Sequence, residues 1–474
     1  MRTAPPPQSR QNDPTRPHAL EALRAATRTV TVSATVLATS LATVLAGGLV
    51  SVVAGTALAS PARAANVATP GNFTGYGFDQ CTAPSQGAMN AWLTGSPFWA
   101  AGIYISGASR GCRSQPNLTP RWVRTQLRNG WRLLPIALGP QAWCTTRDRY
   151  LRQVRINPRP SGSYARARTQ GRTEAAKTVR AAQRLGISRH STLWYDLEAF
   201  NIAPTNCRRS ALSFLSAWTY QLHRLGYVSG VYSSAASGIK ILDDARVARP
   251  RLYRMPDRVW IADWNDRADP YSSYVRSSGW MPHRRVHQYR GGEPERFGGV
   301  TINIDRNWVD LGRGSRIARE PAHCGGAASY NYRRYATRSV GNRGAQVRTV
   351  QCLLRGHKAY SGAADGVYDA GLSAAVRSYR VRRGLVPGTS VTGATWVALL
   401  SQGATPLVKF GSASKAVRRL QRALNAADGA GLTVTGVFNT RTTIAVKRYQ
   451  AGHRMPRTGV VSATMWRRLL AGTR

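Results

Sequence analysis

Residues 75–311 alternate strand-like and helix-like segments, and this alternation restricts the possible folds more than any other feature of the sequence. Eight short apolar runs are typical of strands: Tyr76–Cys81, Phe98–Gly107, Trp131–Gly139, Thr192–Phe200, Gly226–Ser234, Val259–Trp264, Val286–Arg290 and Ile302–Val309. Amphipathic helices separate several of them. This pattern predicts a (β/α)8 TIM-like barrel over residues 75–312. A doubly wound open sheet is the alternative, but no glycine-rich GxGxxG turn supports it.

The chain beyond Gly312 contains an internal repeat. Gly366-Val367-Tyr368 recurs as Gly436-Val437-Phe438, and Trp396 recurs as Trp466 at the same offset. The register holds without a gap, so we infer a duplication. The apolar spacing predicts two small all-α three-helix domains, residues 339–403 and 406–473, after a basic linker at 313–338.

The net charge of +46, from 67 Lys and Arg against 21 Asp and Glu, favours a polyanionic partner. Residues 313–474 alone contain 27 basic and 4 acidic residues, which is typical of a binding module. Charge by itself leaves nucleic acid, anionic lipid and the anionic polymers of a bacterial wall as candidates.

The N-terminal segment reduces the number of candidate partners. No charged residue occurs between Val30 and Ala62, arginines lie upstream, and the segment ends in Ala62-Arg63-Ala64. This pattern predicts a signal peptide at residues 1–64 and a short linker at 65–74. A retained membrane anchor is the alternative, because about 18 apolar residues suffice to span a bilayer. Export argues against nucleic acid as a partner, and cleavage would leave no stable membrane anchor.

The six cysteines fit an oxidising compartment and allow 15 pairings. Four of them follow strand-like runs, which favours links between neighbouring loops. The expected pairs are Cys81 with Cys112, Cys144 with Cys207, and Cys324 with Cys352. No cysteine spacing is typical of a zinc site, so we predict neither a metal nor a cofactor.

Acidic residues lie at the ends of several apolar runs, although only 15 occur between residues 66 and 312. They are Asp79 in YGFDQC, Asp196 and Glu198 in LWYDLEAF, Asp263 in VWIADW and Asp305 in INIDRNW. The active sites of (β/α)8 barrels lie at the carboxyl ends of the strands. Asp196 and Glu198 are two residues apart, so their side chains are expected on one face of the strand. We therefore predict that these acids converge on one pocket.

Aromatic residues accompany the acids and suit the stacking of sugar rings: Tyr104, Trp143, Tyr195, Trp264 and Tyr289. Glycoside hydrolysis needs one protonated and one ionised carboxyl group, and crowding of carboxylates raises the pKa of one of them. Each acid also has a structural interpretation, as a loop cap or as a partner for an arginine. A metal site has less support, because no histidine lies at ligand spacing beside these acids.

Several motifs in order, YGFDQC, GIYISG, NLTPRWV, GWRLLPIALGPQ, WYDLEAF and VWIADW, resemble a known family. It is the secreted actinobacterial glycoside-hydrolase-like domain called domain of unknown function 1906, which is similar to the glycoside hydrolase family 25 lysozymes. The lysozyme pattern is matched by Asp79, Asp196-Leu197-Glu198, Gln288-Tyr289 and Asp305-Arg306-Asn307. The resemblance implies that Glu198 is the general acid and that Asp196 assists the acetamido group of the substrate or stabilises charge. It implies that Asp79 and Asp305 position the substrate.

The two repeats resemble the helical peptidoglycan-binding domain of wall hydrolases, through ADGVYDAGLSAAVRSYR and VTGVFNTRTTIAVKRYQ. They depart from its pattern at Arg380, where Gln is usual, and at Thr435, where Asp is usual. The resemblance implies peptidoglycan as the partner, with anionic wall polymers as a second candidate. We expect a secreted, monomeric, muramidase-type hydrolase; the alternative is a wall-binding protein that does not cleave.

Overall fold

The computed structural model describes residues 65–312, 320 and 322–474. The predicted signal peptide, residues 1–64, lies outside the described residues. Within the described part of the chain, no helix combines the length and the apolar character needed to cross a membrane.

The first half folds into a closed barrel of eight strands in sequential order. The strands are β1 Thr74–Asp79, β2 Ala100–Ser106, β3 Arg132–Ala137, β4 Thr192–Leu197, β5 Val228–Ser234, β6 Arg258–Ala262, β7 Arg285–Phe297 and β8 Val300–Asp310. Each of the eight predicted strands is therefore confirmed. Large apolar side chains fill the barrel interior, and Trp194 packs edge-on against Trp260 with ring centroids 5.5 Å apart.

The last strand departs from the all-parallel pattern of a (β/α)8 barrel. β8 is antiparallel to both β7 and β1. A two-residue turn, Gly298-Gly299, joins β7 to β8, and both glycines have positive φ (56° and 83°). Such a tight turn links antiparallel strands, whereas parallel strands need a longer crossover. Consequently no helix separates β7 from β8.

Helices cover the outside of the other strands: α1 Gln86–Gly95, α2 Pro120–Arg128, α3 Asp148–Leu151, α4 Ser161–Arg184, α5 Thr205–Arg224 and α6 Lys240–Ala248. Two of them begin at residues typical of helix caps. The Ser85 hydroxyl accepts from the amide of Ala88, and the Thr119 hydroxyl accepts from the amide of Trp122. The predicted helices 172–185 and 210–225 are confirmed as α4 and α5, and α4 begins earlier than expected.

The second half consists of two three-helix repeats, as predicted. The first contains α7 Ala345–Gly356, α8 Ala370–Arg382 and α9 Gly393–Leu400, and the second contains α10 Lys415–Asp428, α11 Thr440–Gly452 and α12 Ala463–Leu470. Their tryptophans are equivalent. Trp396 Nε1 donates to the carbonyl of Ala336, and Trp466 Nε1 donates to the carbonyl of Pro406.

The two departures from the repeat pattern preserve the local hydrogen bonds. The Thr435 hydroxyl accepts from the amide of Val437 and from Gln421, as the Asp365 carboxylate accepts from Val367 and Gln351 in the first repeat. In the first repeat Arg380 donates to the carbonyl of Ser390, and in the second Gln450 donates to the equivalent carbonyl of Val460. Both substitutions therefore leave the turn that follows each helix intact.

Three disulfides join Cys81 with Cys112, Cys144 with Cys207, and Cys324 with Cys352. These are the pairs that the positions in the sequence favoured. The first two link loops of the barrel, and the third links the segment before the first repeat to α7.

Candidate active site

A pocket of about 170 Å³ opens at one end of the barrel and contains three of the predicted acids, Asp79, Glu198 and Asp305. Tyr104 also lines it, together with two cations, Arg110 and Arg149. Asp79 is the last residue of β1, and Glu198 directly follows β4. The fourth acid, Asp196, lies within β4 and is fully buried beneath the pocket.

Asp305 reaches this pocket in a different way from the other acids. It lies in the middle of β8, not at a carboxyl end, and its Cα is paired with that of Asp79 across the antiparallel sheet. The hairpin reverses the chain direction, so a mid-strand residue meets the end of β1. The expectation that Asp305 ends its strand was wrong, whereas its position beside Asp79 agrees with the predicted convergence.

Amide side chains hold the Asp79 carboxyl group in place. Asn307 Nδ2 donates to Asp79 Oδ1 at 2.6 Å, and Gln288 Nε2 lies 3.2 Å from the same oxygen. Gln288 Nε2 also lies 3.2 Å from Asp305 Oδ2. Burial and then the nearby Asp305 raise the pKa of Asp79 to about 8. Asp79 therefore carries a proton at neutral pH.

Asp196 is the most buried of the four acids. The Tyr104 hydroxyl donates to its Oδ2 at 3.1 Å, whereas its Oδ1 has no hydrogen-bond partner among the described residues. Burial, followed by the neighbouring Glu198, raises the pKa of Asp196 well above its ordinary value. A buried oxygen without a partner is unusual in a folded protein and is explained by a bound water, an ion or a catalytic role.

Glu198 lies at the rim and contacts two residues of the loop around α3. The Tyr150 hydroxyl donates to Glu198 Oε1 at 3.3 Å, and Arg147 forms an ion pair with Oε2 at 3.3 Å. About 20% of the Glu198 side chain is exposed. Of the Asp196 and Glu198 pair, Glu198 is the one that a bound molecule can reach from solvent.

Gln141 fixes the end of β4 and was missed by the sequence analysis. Its Nε2 donates to the carbonyl of Asp196 at 2.9 Å, and its Oε1 accepts from the amide of Glu198 at 2.8 Å. The sequence signal was a polar residue shortly after an apolar strand-like run, in the motif GPQ. Nothing in the sequence pointed to Arg147 or Tyr150, because their loop meets Glu198 only in the fold.

The predicted aromatic residues divide into three groups: one residue that lines the pocket, two exposed tryptophans outside its lining, and two tyrosines that point away from the barrel interior. Tyr104 lines the pocket. Trp264 does not line it, but it is 63% exposed and its Nε1 donates to Gln288 Oε1 at 3.0 Å. Trp143 is exposed and stacks under Arg155, and it does not line the pocket.

Two tyrosines point away from the barrel interior, and their assignment to the pocket was wrong. Tyr195 is fully buried against Phe214 and Trp218 of α5, because alternate residues of a strand face opposite sides. Tyr289 likewise lies on the outer face of β7. Asp263 does not line the pocket either; its carboxylate accepts from Asn265.

The comparisons with known proteins follow the division of the chain into a barrel and two repeats. Residues 90–309 match the Rv2525c-like, glycoside hydrolase-like domain. The barrel is a glycoside hydrolase-like domain. Residues 343–399 and 413–469 each match the putative peptidoglycan binding domain. No curated protein sequence is significantly similar to this chain.

Solved structures align with about half of the chain. The Mycobacterium tuberculosis Tat-secreted protein Rv2525c, in complex with HEPES, is 12% identical and has a TM-score of 0.31, covering 50% of this chain and 95% of that chain. The Clostridium perfringens spore cortex lytic enzyme SleM is 13% identical with a TM-score of 0.35, covering 51% and 68%. The Streptococcus pneumoniae modular autolysin LytC is 12% identical with a TM-score of 0.31, covering 49% and 46%. The assignment of the glycoside hydrolase-like domain rests on the family match.

Proposed function

We propose that this protein is a secreted peptidoglycan hydrolase of the lysozyme type, held on the wall by its two C-terminal repeats. The observation that carries the proposal is the convergence of Asp79, Glu198 and Asp305 on one pocket, with Asp196 directly beneath it. Glycoside hydrolysis uses such a group of carboxyls in different protonation states. The repeats support the choice of substrate, because both match a putative peptidoglycan binding domain.

In this proposal each acid has a separate role. Glu198, at the solvent-accessible rim, leaves its ion pair with Arg147 and, in its protonated form, donates a proton to the leaving glycosidic oxygen as the bond to the anomeric carbon breaks. A water molecule then adds to that carbon, and its proton passes to a carboxylate of the pocket. Asp196, buried beneath the pocket with its pKa raised well above the ordinary value, stabilises charge that develops at the sugar above it. Asp79 and Asp305, tied together by Gln288, bind hydroxyl groups of the substrate. Arg110 and Arg149 line the same pocket and supply positive charge for an anionic sugar substituent.

A wall-binding protein that holds glycan without cleaving it is the second candidate. The size of the pocket favours it, because about 170 Å³ is smaller than the ~300–1,000 Å³ of most ligand pockets. Cleavage would then need the rim to open around a longer glycan.

Mass spectrometry of the fragments released from purified peptidoglycan distinguishes the two functions. We expect residues 65–474 to release muropeptides with new reducing ends, and Glu198→Gln to reduce this release at least ~100-fold, as is typical for the loss of a general acid. Glu293→Gln is the matched control, since it makes the same chemical change on the exposed part of the hairpin. Both variants should sediment with the wall as the parent does. Wall binding without any release by the parent would support the second candidate.

A further inference from the structure

A cleft of about 660 Å³ lies between the outer face of the barrel and the second repeat, away from the pocket of the acids. One wall is the β7–β8 hairpin with Tyr289, Arg290 and Arg306, and the other is formed by Lys447 of α11 and by Arg457 after that helix. The β7–β8 hairpin thus faces both the pocket of the acids and this cleft. Its inner face carries Gln288 and Asp305, and its outer face lines the cleft.

The two walls of this cleft are fixed relative to each other by Lys409. This lysine of the second repeat is fully buried where the repeat meets the barrel domain, against the end of α1 and the segments before β2 and β3. Its Nζ donates to the carbonyls of Leu93 and Ser96 at 2.9 and 3.0 Å, and it lies over the rings of Trp99 and Trp131. A buried amino group that donates to two carbonyls and lies over two aromatic faces resists displacement, although burial lowers the pKa of this lysine well below its ordinary value. The cleft is therefore a preformed feature of the chain.

Phe410, the next residue, supplies the apolar floor. Its ring lies 5.0 Å from that of Tyr76 and 5.7 Å from that of Trp308. These aromatic residues are on the outside of β1 and β8, where the hairpin replaces a helix. Tyr76 and Phe410 are only partly buried and both line the cleft, so a ligand can contact apolar surface there.

The charged groups of the cleft are of both signs. Arg290 pairs with Asp266 at 2.6 Å, and Arg306 pairs with Glu295. Lys447 and Arg457 are exposed and form no ion pair among the described residues. The side chain of Asp266 is 65% exposed and can accept from a further cation. The cleft therefore offers two unpaired cations on one wall and an accessible carboxylate on the other.

We propose that this cleft is a second binding site for peptidoglycan and that it takes the stem peptide, which carries free carboxylates and a free amine. The carboxylates bind Lys447 and Arg457, the amine binds Asp266, and aliphatic side chains lie on Tyr76 and Phe410. A polyphosphate fits less well, because it has no cation for Asp266 and no aliphatic side chain for Tyr76 and Phe410. The inference rests on the proposed function in taking peptidoglycan as the ligand, but it requires no cleavage.

The test measures the binding of a synthetic stem tripeptide, without sugars and with its carboxylates and amine free. Calorimetry uses residues 65–474 carrying Glu198→Gln, so that cleavage plays no part. In this background we expect Lys447→Ala with Arg457→Ala to raise the dissociation constant about tenfold (~1.4 kcal/mol). Arg467→Ala with Arg468→Ala on α12 is the matched control, because it removes the same charge outside the cleft. A tripeptide with amidated carboxylates should bind weakly to all three proteins.

Three results would overturn the proposal. One is an unchanged affinity in the Lys447 and Arg457 variant. Another is an equal loss in the α12 control, since that would be an effect of net charge. The third is stronger binding of poly(glycerol phosphate) than of the tripeptide, with the phosphate polymer alone sensitive to Lys447 and Arg457. Cleavage of peptidoglycan is measured separately, so absence of activity with intact tripeptide binding would refute the hydrolase function alone.

Discussion

Asp79 and Asp305 face each other across β1 and β8, and the amide nitrogen of Gln288 lies 3.2 Å from an oxygen of each. One side-chain amide thus joins two acids that are far apart in the sequence. Two ionised carboxylates at this separation would repel each other inside a buried site, so at least one proton is retained. The pKa of Asp79, raised to about 8, agrees with the retention of a proton by this pair of acids.

The stability of the protein should therefore depend on pH through Asp79. Its carboxyl group keeps a proton up to about pH 8 when folded, but only to about its ordinary pKa of 3.8 when unfolded. The folded state binds more protons between these values, so the free energy of unfolding should fall as the pH rises from 4 to 8, by up to ~1.4 kcal/mol per pH unit for one proton.

Urea unfolding at several pH values measures this slope. In Asp79→Asn the residue no longer titrates, and we expect a flatter dependence between pH 4 and 8. An unchanged slope in this variant would show that Asp79 ionises normally in the folded protein.

Tyr104 and Tyr195 provide a matched pair for the hydroxyl beside Asp196. Tyr104→Phe removes the donor to Asp196 Oδ2, so the pKa of Asp196 should rise further. We expect the pH profile of cleavage to move to higher pH and the rate to fall about tenfold (~1.4 kcal/mol). Tyr195→Phe removes a donor to the carbonyl of Pro140 outside the pocket, so it should lower stability by ~1 kcal/mol and leave the profile unchanged. Equal profiles in both variants would contradict a role for Tyr104.

Gln288→Leu should destabilise the barrel. The hydroxyl group of Tyr232 and the indole of Trp264 donate to Gln288 Oε1, each at 3.0 Å. The substitution removes this acceptor, and it also removes the amide nitrogen that lies beside Asp79 and Asp305. The expected loss is ~1–3 kcal/mol of unfolding free energy, measured by chemical denaturation. Gln183→Leu on the exposed face of α4 is the control and should change stability by no more than ~0.5 kcal/mol.

Lys409→Ala should release the second repeat from the barrel. It removes both bonds to the carbonyls of Leu93 and Ser96, at a cost of roughly 2–3 kcal/mol. Small-angle X-ray scattering should then give a larger radius of gyration, whereas Lys415→Ala, an exposed lysine at the start of α10, should leave it unchanged. A radius unaffected by Lys409→Ala would mean that the aromatic contacts of Phe410 suffice to hold the repeat.

Much of the fold was predictable because its signals are local. The apolar runs gave the eight strands, and the unbroken repeat register gave two helical domains. The antiparallel direction of β8 had a local signal as well, the pair Gly298-Gly299 between apolar runs, but the eightfold alternation favoured a parallel strand. The predicted assignment of Tyr195 failed because neighbouring strand residues face opposite sides, and only the position of α5 decides which side is outside.

The candidate site shows the same division. The sequence by itself determined which residue types stand at the ends of the strands: Asp79, Asp196 and Glu198 could be recognised there without a structure. Only the tertiary structure decided that Asp305 meets Asp79 and that Arg147, Tyr150 and Gln141 hold β4. It alone decided that Lys409 is buried against the end of α1 and the segments before β2 and β3. These contacts join residues far apart in the chain, and their geometry depends on strand register and on side-chain packing, which no short stretch of sequence encodes.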